Sequence, residues 1–159
     1  MDFDFVVKRL VVALLEKGFT IATSEQCTCG LIGASVASLE YSQRWYKGTI
    51  TTYAEDCVNK LFGVPSYVVQ KNGLVSSQVA QQMALDVLYK FGADISIGVI
   101  GDIDGYGKDA QICVAKMDNK VISFGYKKVI MGSVKSKNIE TLINESLMLA
   151  LEQLEEKKD

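Results

Sequence analysis

The stretch Thr20-Ile21-Ala22-Thr23-Ser24-Glu25-Gln26-Cys27-Thr28-Cys29-Gly30-Leu31-Ile32-Gly33 decides how this chain folds. An apolar, β-branched run over residues 19–23 predicts a strand. Polar and small residues follow, and from Gly30 the pattern turns helical, over about residues 30–39. A strand that turns sharply into a helix presents side chains and free backbone N–H groups at one point. Such a point suits an anion or a developing oxyanion, and it is a common seat for a nucleophile. The residue at that seat is Gln26. A carboxamide has no proton whose loss yields a competent nucleophile at biological pH.

Working outward, strands and helices alternate. Phe5, Val6, Leu10, Val11, Leu14 and Leu15 repeat at helical spacing, flanked by Asp2, Asp4, Lys8, Arg9 and Glu16, and Gly18 suits the helix end. The spacing predicts a strand over residues 46–53, a short helix over 54–62 closed by Gly63 and Pro65, and a helix from the cap Ser76 to about Tyr89 ended by Gly92. Residues 95–100 read as a strand buried on both faces, followed by a loop over 101–108. Residues 111–117 and 121–130 flank Asp118-Asn119 as a hairpin, and an amphipathic helix over 139–154 precedes a charged tail over 155–159. The small residues Gly33, Ala34, Ser35, Ala37 and Ser38 imply a helix packed closely on the sheet. Together these predict one domain over residues 1–159: an α/β fold, a three-layer α/β/α sandwich with a mixed, mostly parallel sheet and a late hairpin.

Composition narrows the function classes. The chain is 48% hydrophobic with a net charge of −2, which suits a packed globular protein and gives no general drive toward nucleic acid. No apolar run is long enough to span a bilayer, and no export signal is visible, so a cytoplasmic location is expected. The sequence has no histidine, which removes Ser-His-Asp and Cys-His catalysis. Cys27, Cys29, Cys57 and Cys113 lack the paired spacing of a zinc site, so no metal is expected. Asp102-x-Asp104-Gly105 opens like a calcium loop but lacks the later ligands, and reads as a polar turn. Tyr41, Trp45 and Tyr46 offer either ring stacking or edge packing, and Lys127, Lys128, Lys135 and Lys137 form a basic cluster that reads as a solvated face.

The motifs Ala22-Thr23-Ser24-Glu25-Gln26-Cys27-Thr28-Cys29-Gly30, Tyr53-Ala54-Glu55-Asp56-Cys57-Val58, Gly63-Val64-Pro65, Gly73-Leu74-Val75-Ser76-Ser77-Gln78-Val79-Ala80 and Gly92-Ala93-Asp94-Ile95 occur in this order. In order and spacing the chain resembles the CinA C-terminal domain family, from about Leu10 to Leu151. Active members of that family are nicotinamide-mononucleotide deamidases. The resemblance implies a serine that attacks the carboxamide carbon, assisted by a lysine and a tyrosine, with loss of ammonia and release of nicotinic acid mononucleotide. It also implies a homo-oligomer with a small-molecule nucleotide as partner and no cofactor, while charge and hydropathy give the expectation of no nucleic-acid and no membrane partner.

Carried over by position, the serine is Gln26, the lysine is Val58 and the tyrosine is kept as Tyr53. Loss of either member of a coupled catalytic pair removes covalent catalysis by roughly 10⁴ or more. The resemblance therefore implies a degenerate member, with Gln26, Cys27, Thr28, Gly30, Tyr53 and Gly101 lining a surviving pocket. Its alternatives are an amidase with Cys27 or Ser24 as a relocated nucleophile, and a pure interaction module. Ser24 would lie about 6–7 Å back along an extended segment from Gln26. Lys60, two residues after Val58, would be turned by about 200° on a helix. The family loop T-G-I-A-G-P stands here as Ile100-Gly101-Asp102-Ile103-Asp104-Gly105, so two carboxylates enter a loop that faces a phosphorylated substrate in relatives. The family arginine after F-P-G-D is replaced in the region Ile130-Met131-Gly132-Ser133-Val134, which implies loss of a phosphate ligand.

Overall fold

The computed structural model describes residues 3–156. In chain order the elements are α1 (Phe3–Lys17), β1 (Ile21–Glu25), α2 (Leu31–Val36), a 3-10 turn (Ser42–Arg44), β2 (Tyr46–Thr51), α3 (Glu55–Leu61), α4 (Ser66–Asn72), α5 (Ser77–Phe91), β3 (Ile95–Gly101), β4 (Asp109–Asp118), β5 (Val121–Ile130) and α6 (Lys135–Glu155). The five strands form one sheet in the order β2-β1-β3-β4-β5. β1 pairs in parallel with β2 and β3, whereas β3–β4 and β4–β5 are antiparallel. The expected mixed sheet with a late hairpin is present, and its parallel part is the three-strand unit that ends at Gln26.

Side-chain alternation sorts the core into two layers. Ile95, Ile97 and Val99 of β3 face one side with α1 and α6 residues such as Leu10, Leu14, Leu142 and Leu147. Ile100 of β3 and Cys113 and Ala115 of β4 face the other, with Val79, Met83 and Val87 of α5. The period of two along the strand and of 3.6 along the helices produces this division. The backbone of α5 lies so close to the sheet that a Cβ at Gly98 would sit 2.5 Å from the Ala80 carbonyl oxygen. The hydroxyl of Ser96 adds a 2.6 Å hydrogen bond to the Ala84 carbonyl.

The departures from expectation have local causes. β1 runs two residues further than predicted, because Ser24 and Glu25 pair with Ile50 and Thr51 on one side and Gly98 and Val99 on the other. Polarity marked them as loop, whereas the backbone ladder holds them in strand. α2 ends at Val36 and β2 at Thr51, both earlier than predicted. α4 was missed: Pro65 stands just before its first turn, and Tyr67, Val68 and Val69 resemble a strand in sequence. In the hairpin, positive φ falls on Asn119 (51°) and Lys120 (64°), so the turn is one residue later than Asp118-Asn119. α6 begins four residues before the predicted start. Of the expected charged tail, Glu155 ends α6 and pairs with Arg9, and residues 157–159, like Asp2, lie outside the described residues. Among the described residues, no helix is long and apolar enough to cross a membrane.

Candidate functional site

The chain passes from β1 through α2 to β2 on one side of β1, then through α3, α4 and α5 to β3 on the other. Such a switch in direction leaves a crevice at the carboxyl ends of the parallel strands, the usual ligand position in α/β sheets. Gln26 is the first residue beyond β1 and stands at that crevice.

Its side chain bridges the two neighbouring strand ends. The Gly101 N–H, at the end of β3, donates to Gln26 Oε1 at 3.2 Å, and Gln26 Nε2 donates to the Tyr53 carbonyl beyond β2 at 3.1 Å. Only this orientation of the carboxamide satisfies both partners. The backbone N–H of Gln26 donates to the Val99 carbonyl at 3.1 Å. Each half of the amide keeps capacity: one N–H and one lone pair remain for a ligand.

The free helix N-terminus expected after Gln26 is filled by the protein itself. Glu25, fully buried, accepts from the Ile32 N–H (2.9 Å) and the Thr28 hydroxyl (2.7 Å) on Oε1, and from the Gly33 N–H (2.9 Å) and the Thr23 hydroxyl (2.9 Å) on Oε2. The first N–H groups of α2 are therefore spent on an internal carboxylate. Their positive end favours that charge, and charge-assisted bonds hold it. Glu25 is thus a structural anchor that the motif by itself leaves without a role. The signal was present in Thr23-x-Glu25 and Thr28, which supply hydroxyl donors on either side of a carboxylate. Cys29 (φ 52°) and Gly30 (φ 85°) take left-handed conformations that turn the chain from Gln26 into α2. The Tyr46 phenol is pushed above its ordinary value, by burial first and by the Glu25 charge second, against a hydrogen bond to Thr23 that lowers it.

The remaining candidates separate into mouth and interior. Tyr53 and Gly101 join Gln26 at the strand ends, with Tyr53 exposed. Thr28 is buried against Glu25, so it supports the turn and does not line the crevice. Ser24 and Cys27 are each 1% exposed, inside the fold. Burial pushes the Cys27 thiol up to about 12, with a smaller contribution from Glu25. At pH 7 the thiolate fraction is then roughly 10⁻⁵, which leaves Cys27 inert as a nucleophile. Val58 is fully buried beside Phe62, Val64 and α5, while Lys60 is exposed, as their helical offset requires. Trp45 is core, its indole N–H bonded to the Val36 carbonyl at 3.0 Å, and Tyr41 is exposed, so the aromatic trio forms no stacking platform.

Within the basic cluster, Lys135 is exposed, as a solvated face requires, and also has an acidic partner on the loop after β3. Lys135, the first residue of α6, pairs with Asp104 at 2.7 Å. That hydrogen bond with Asp104 raises its pKa, and the Tyr53 phenol adds to the shift. Asp104 lies three residues beyond Gly101, so the Lys135–Asp104 pair stands on the loop that leaves the end of β3. Lys127 pairs with Glu145, and Lys128 lies 4.0 Å from Asp109, so the basic cluster is dispersed among acidic partners. The loop carrying Asp104 is a polar turn, in which the Asp104 N–H donates to Asp102 Oδ1 at 3.1 Å. Asn138 of α6 fixes it by donating to the Ile103 carbonyl at 3.2 Å while holding both backbone groups of Gly132. Among the described residues, no group of three or more Cys, Asp or Glu is arranged to hold a metal ion. A surface hollow of about 520 Å³ lies between α1 and α6, lined by Phe3, Glu140, Thr141, Ile143 and Asn144, none of them from the strand ends.

Comparison with known proteins agrees with this architecture. Residues 4–156 match the family model described as the CinA C-terminal domain. A CinA-like protein of Desulfotalea psychrophila is 37% identical over 100 residues, 63% of this chain and 24% of that protein. The nicotinamide-nucleotide amidohydrolase PncC of Enterobacter agglomerans is 36% identical over 99 residues, 62% of this chain and 60% of that protein. The chain thus spans about a quarter of the length of the first curated relatives it matches. Among solved structures, the competence damage-inducible protein A of Klebsiella pneumoniae superposes with a TM-score of 0.86 at 18% identity, over 99% of this chain and 100% of that one. The competence/damage inducible protein CihA of Agrobacterium tumefaciens gives 0.83 at 22%, over 98% and 97%. At these identities the structures speak for the fold.

Proposed function

The chain belongs to the CinA C-terminal domain family, and from that premise we propose that it is a binding member that has lost the serine–lysine amide hydrolysis its resemblance implies. Its crevice at Gln26 takes a pyridine-nucleoside-type ligand through the carboxamide. The observation that carries this reading is the bridged Gln26 side chain. Tied to Gly101 and Tyr53, it occupies the serine position with a group that cannot attack a carbonyl carbon. Its remaining N–H and lone pair complement a primary carboxamide, which carries the same donor and acceptor. The apolar Val58 leaves the lysine position without a base, and the buried Ser24 and Cys27 offer no accessible replacement. The identity with a nicotinamide-nucleotide amidohydrolase supports the ligand class.

The test is calorimetry with nicotinamide mononucleotide and, separately, its unphosphorylated riboside. The reading expects heat that saturates with at least one of them and returns to baseline after each injection. A sustained heat flow would mean turnover and refute the loss of catalysis. No heat from either ligand would refute the pocket.

A further inference from the structure

Resting on that reading of the crevice, we infer that Asp104 sets its specificity: by occupying Lys135 it makes the site take an unphosphorylated nucleoside in preference to the corresponding nucleotide. Two cations reach the loop at the mouth, and both face a carboxylate. Lys135 Nζ lies 2.7 Å from Asp104 Oδ1, and Lys108 Nζ lies 4.0 Å from Asp102 Oδ2. Glu55 and Asp56 add two more carboxylates in the first turn of α3, just beyond Tyr53.

The positive locus here is built from more than one lysine. Lys135 opens α6, a helix of 21 residues, and Val134 at its N-cap supplies no side-chain hydrogen bond. The helix begins with Lys135 and has no acidic residue in its first turn, an arrangement its dipole disfavours unless an anion stands nearby. Asp104 supplies that anion from another segment of the chain. Its position is fixed, because Asn138 anchors the neighbouring Ile103 carbonyl and Asp102 accepts from the Asp104 N–H. The protein's own carboxylate therefore already satisfies the cation at this helix start. A phosphomonoester entering the mouth must displace Asp104 from Lys135 or lie beside it as a like charge. A neutral ribose meets no such opposition. The ion pair uses one carboxylate oxygen of Asp104, and a carboxylate accepts about four hydrogen bonds, so Asp104 retains capacity for sugar hydroxyls.

The experiment compares dissociation constants for nicotinamide riboside and nicotinamide mononucleotide at one ionic strength, in the wild type and in Asp104→Asn. The wild type is expected to bind the riboside about tenfold more tightly or better, from one added like-charge contact near the surface. In Asp104→Asn, Lys135 is released and the ratio is expected to move toward the mononucleotide by about tenfold. Tighter binding of the mononucleotide by the wild type, or an unchanged ratio in Asp104→Asn, would overturn the inference and leave the crevice reading standing. Failure of both ligands to bind the wild type would remove the crevice reading and the inference with it. If the variant folds poorly, a wild-type preference for the mononucleotide still overturns the inference on its own.

Discussion

Replacing Glu25 by Gln removes one formal charge and leaves the side chain's shape intact. Its consequence follows from the four close donors around the carboxylate. Oε1 receives the Ile32 N–H and the Thr28 hydroxyl, and Oε2 receives the Gly33 N–H and the Thr23 hydroxyl. An amide nitrogen placed at either end faces one backbone N–H. The threonine hydroxyl at that end can rotate to accept, but the backbone donor cannot. One charge-assisted bond is lost, about 1.5–3 kcal/mol, and one buried N–H is orphaned, about 1–3 kcal/mol. Part of this is offset because a charge no longer has to be buried. A net loss of about 3 kcal/mol is expected, and with a urea slope of about 2 kcal/mol/M it lowers the unfolding midpoint by about 1.5 M. Trp45 is the assay: it is the sole tryptophan, it is 3% exposed, and its indole is bonded to the last residue of α2. Thr49→Val is the control, because that hydroxyl lies 3.5 Å from Glu25 Oε2 and should contribute under about 0.5 kcal/mol. A Glu25→Gln midpoint within about 0.3 M of the wild type would refute the view that this carboxylate pins the turn into α2.

Two predictions concern the thiols. Alkylation of the folded protein at neutral pH, mapped by mass spectrometry, should mark exposed Cys29 first and half-buried Cys57 more slowly, sparing Cys27 and Cys113 until the protein unfolds. Alkaline stability should follow the same division. Burial holds Cys27 and Cys113 protonated up to about 12, so between about pH 9 and that value the unfolded chain has released protons the folded one still binds. Stability must then fall as pH rises, by about 1.4 kcal/mol per pH unit for each thiol. Urea midpoints measured from pH 8 to 11 check this, and replacing Cys113 by Ala should flatten the slope.

The parts of this fold that were legible in the sequence are those in which one local signal dominates. The repeat of Val6, Leu10, Val11 and Leu14 marked α1, the Ser76 hydroxyl capped α5 through the Val79 N–H as expected, and the run from Ile95 was a buried strand. What was hidden depended on partners distant in the chain. Ser24 and Glu25 look like loop until β2 and β3 pair with them. Lys135 looks like one of several surface lysines until the fold brings Asp104 to it. Asn138 gives no sign in sequence that it braces a loop from within α6. Of the six pocket residues expected at the site, Gln26, Tyr53 and Gly101 are joined by two hydrogen bonds, whereas Cys27 and Thr28 are buried inside the fold. The expectation of free N–H groups failed because a carboxylate one residue before Gln26 reaches them first.

The central claim is that a bridged glutamine at the serine position leaves a crevice without amide hydrolysis. The most direct measurement is ammonia release from nicotinamide mononucleotide by concentrated protein over hours. The prediction is release indistinguishable from buffer, since losing the coupled pair removes roughly 10⁴ or more of the rate. Release that grows in proportion to protein concentration, and that is lost in Tyr53→Phe, would contradict it.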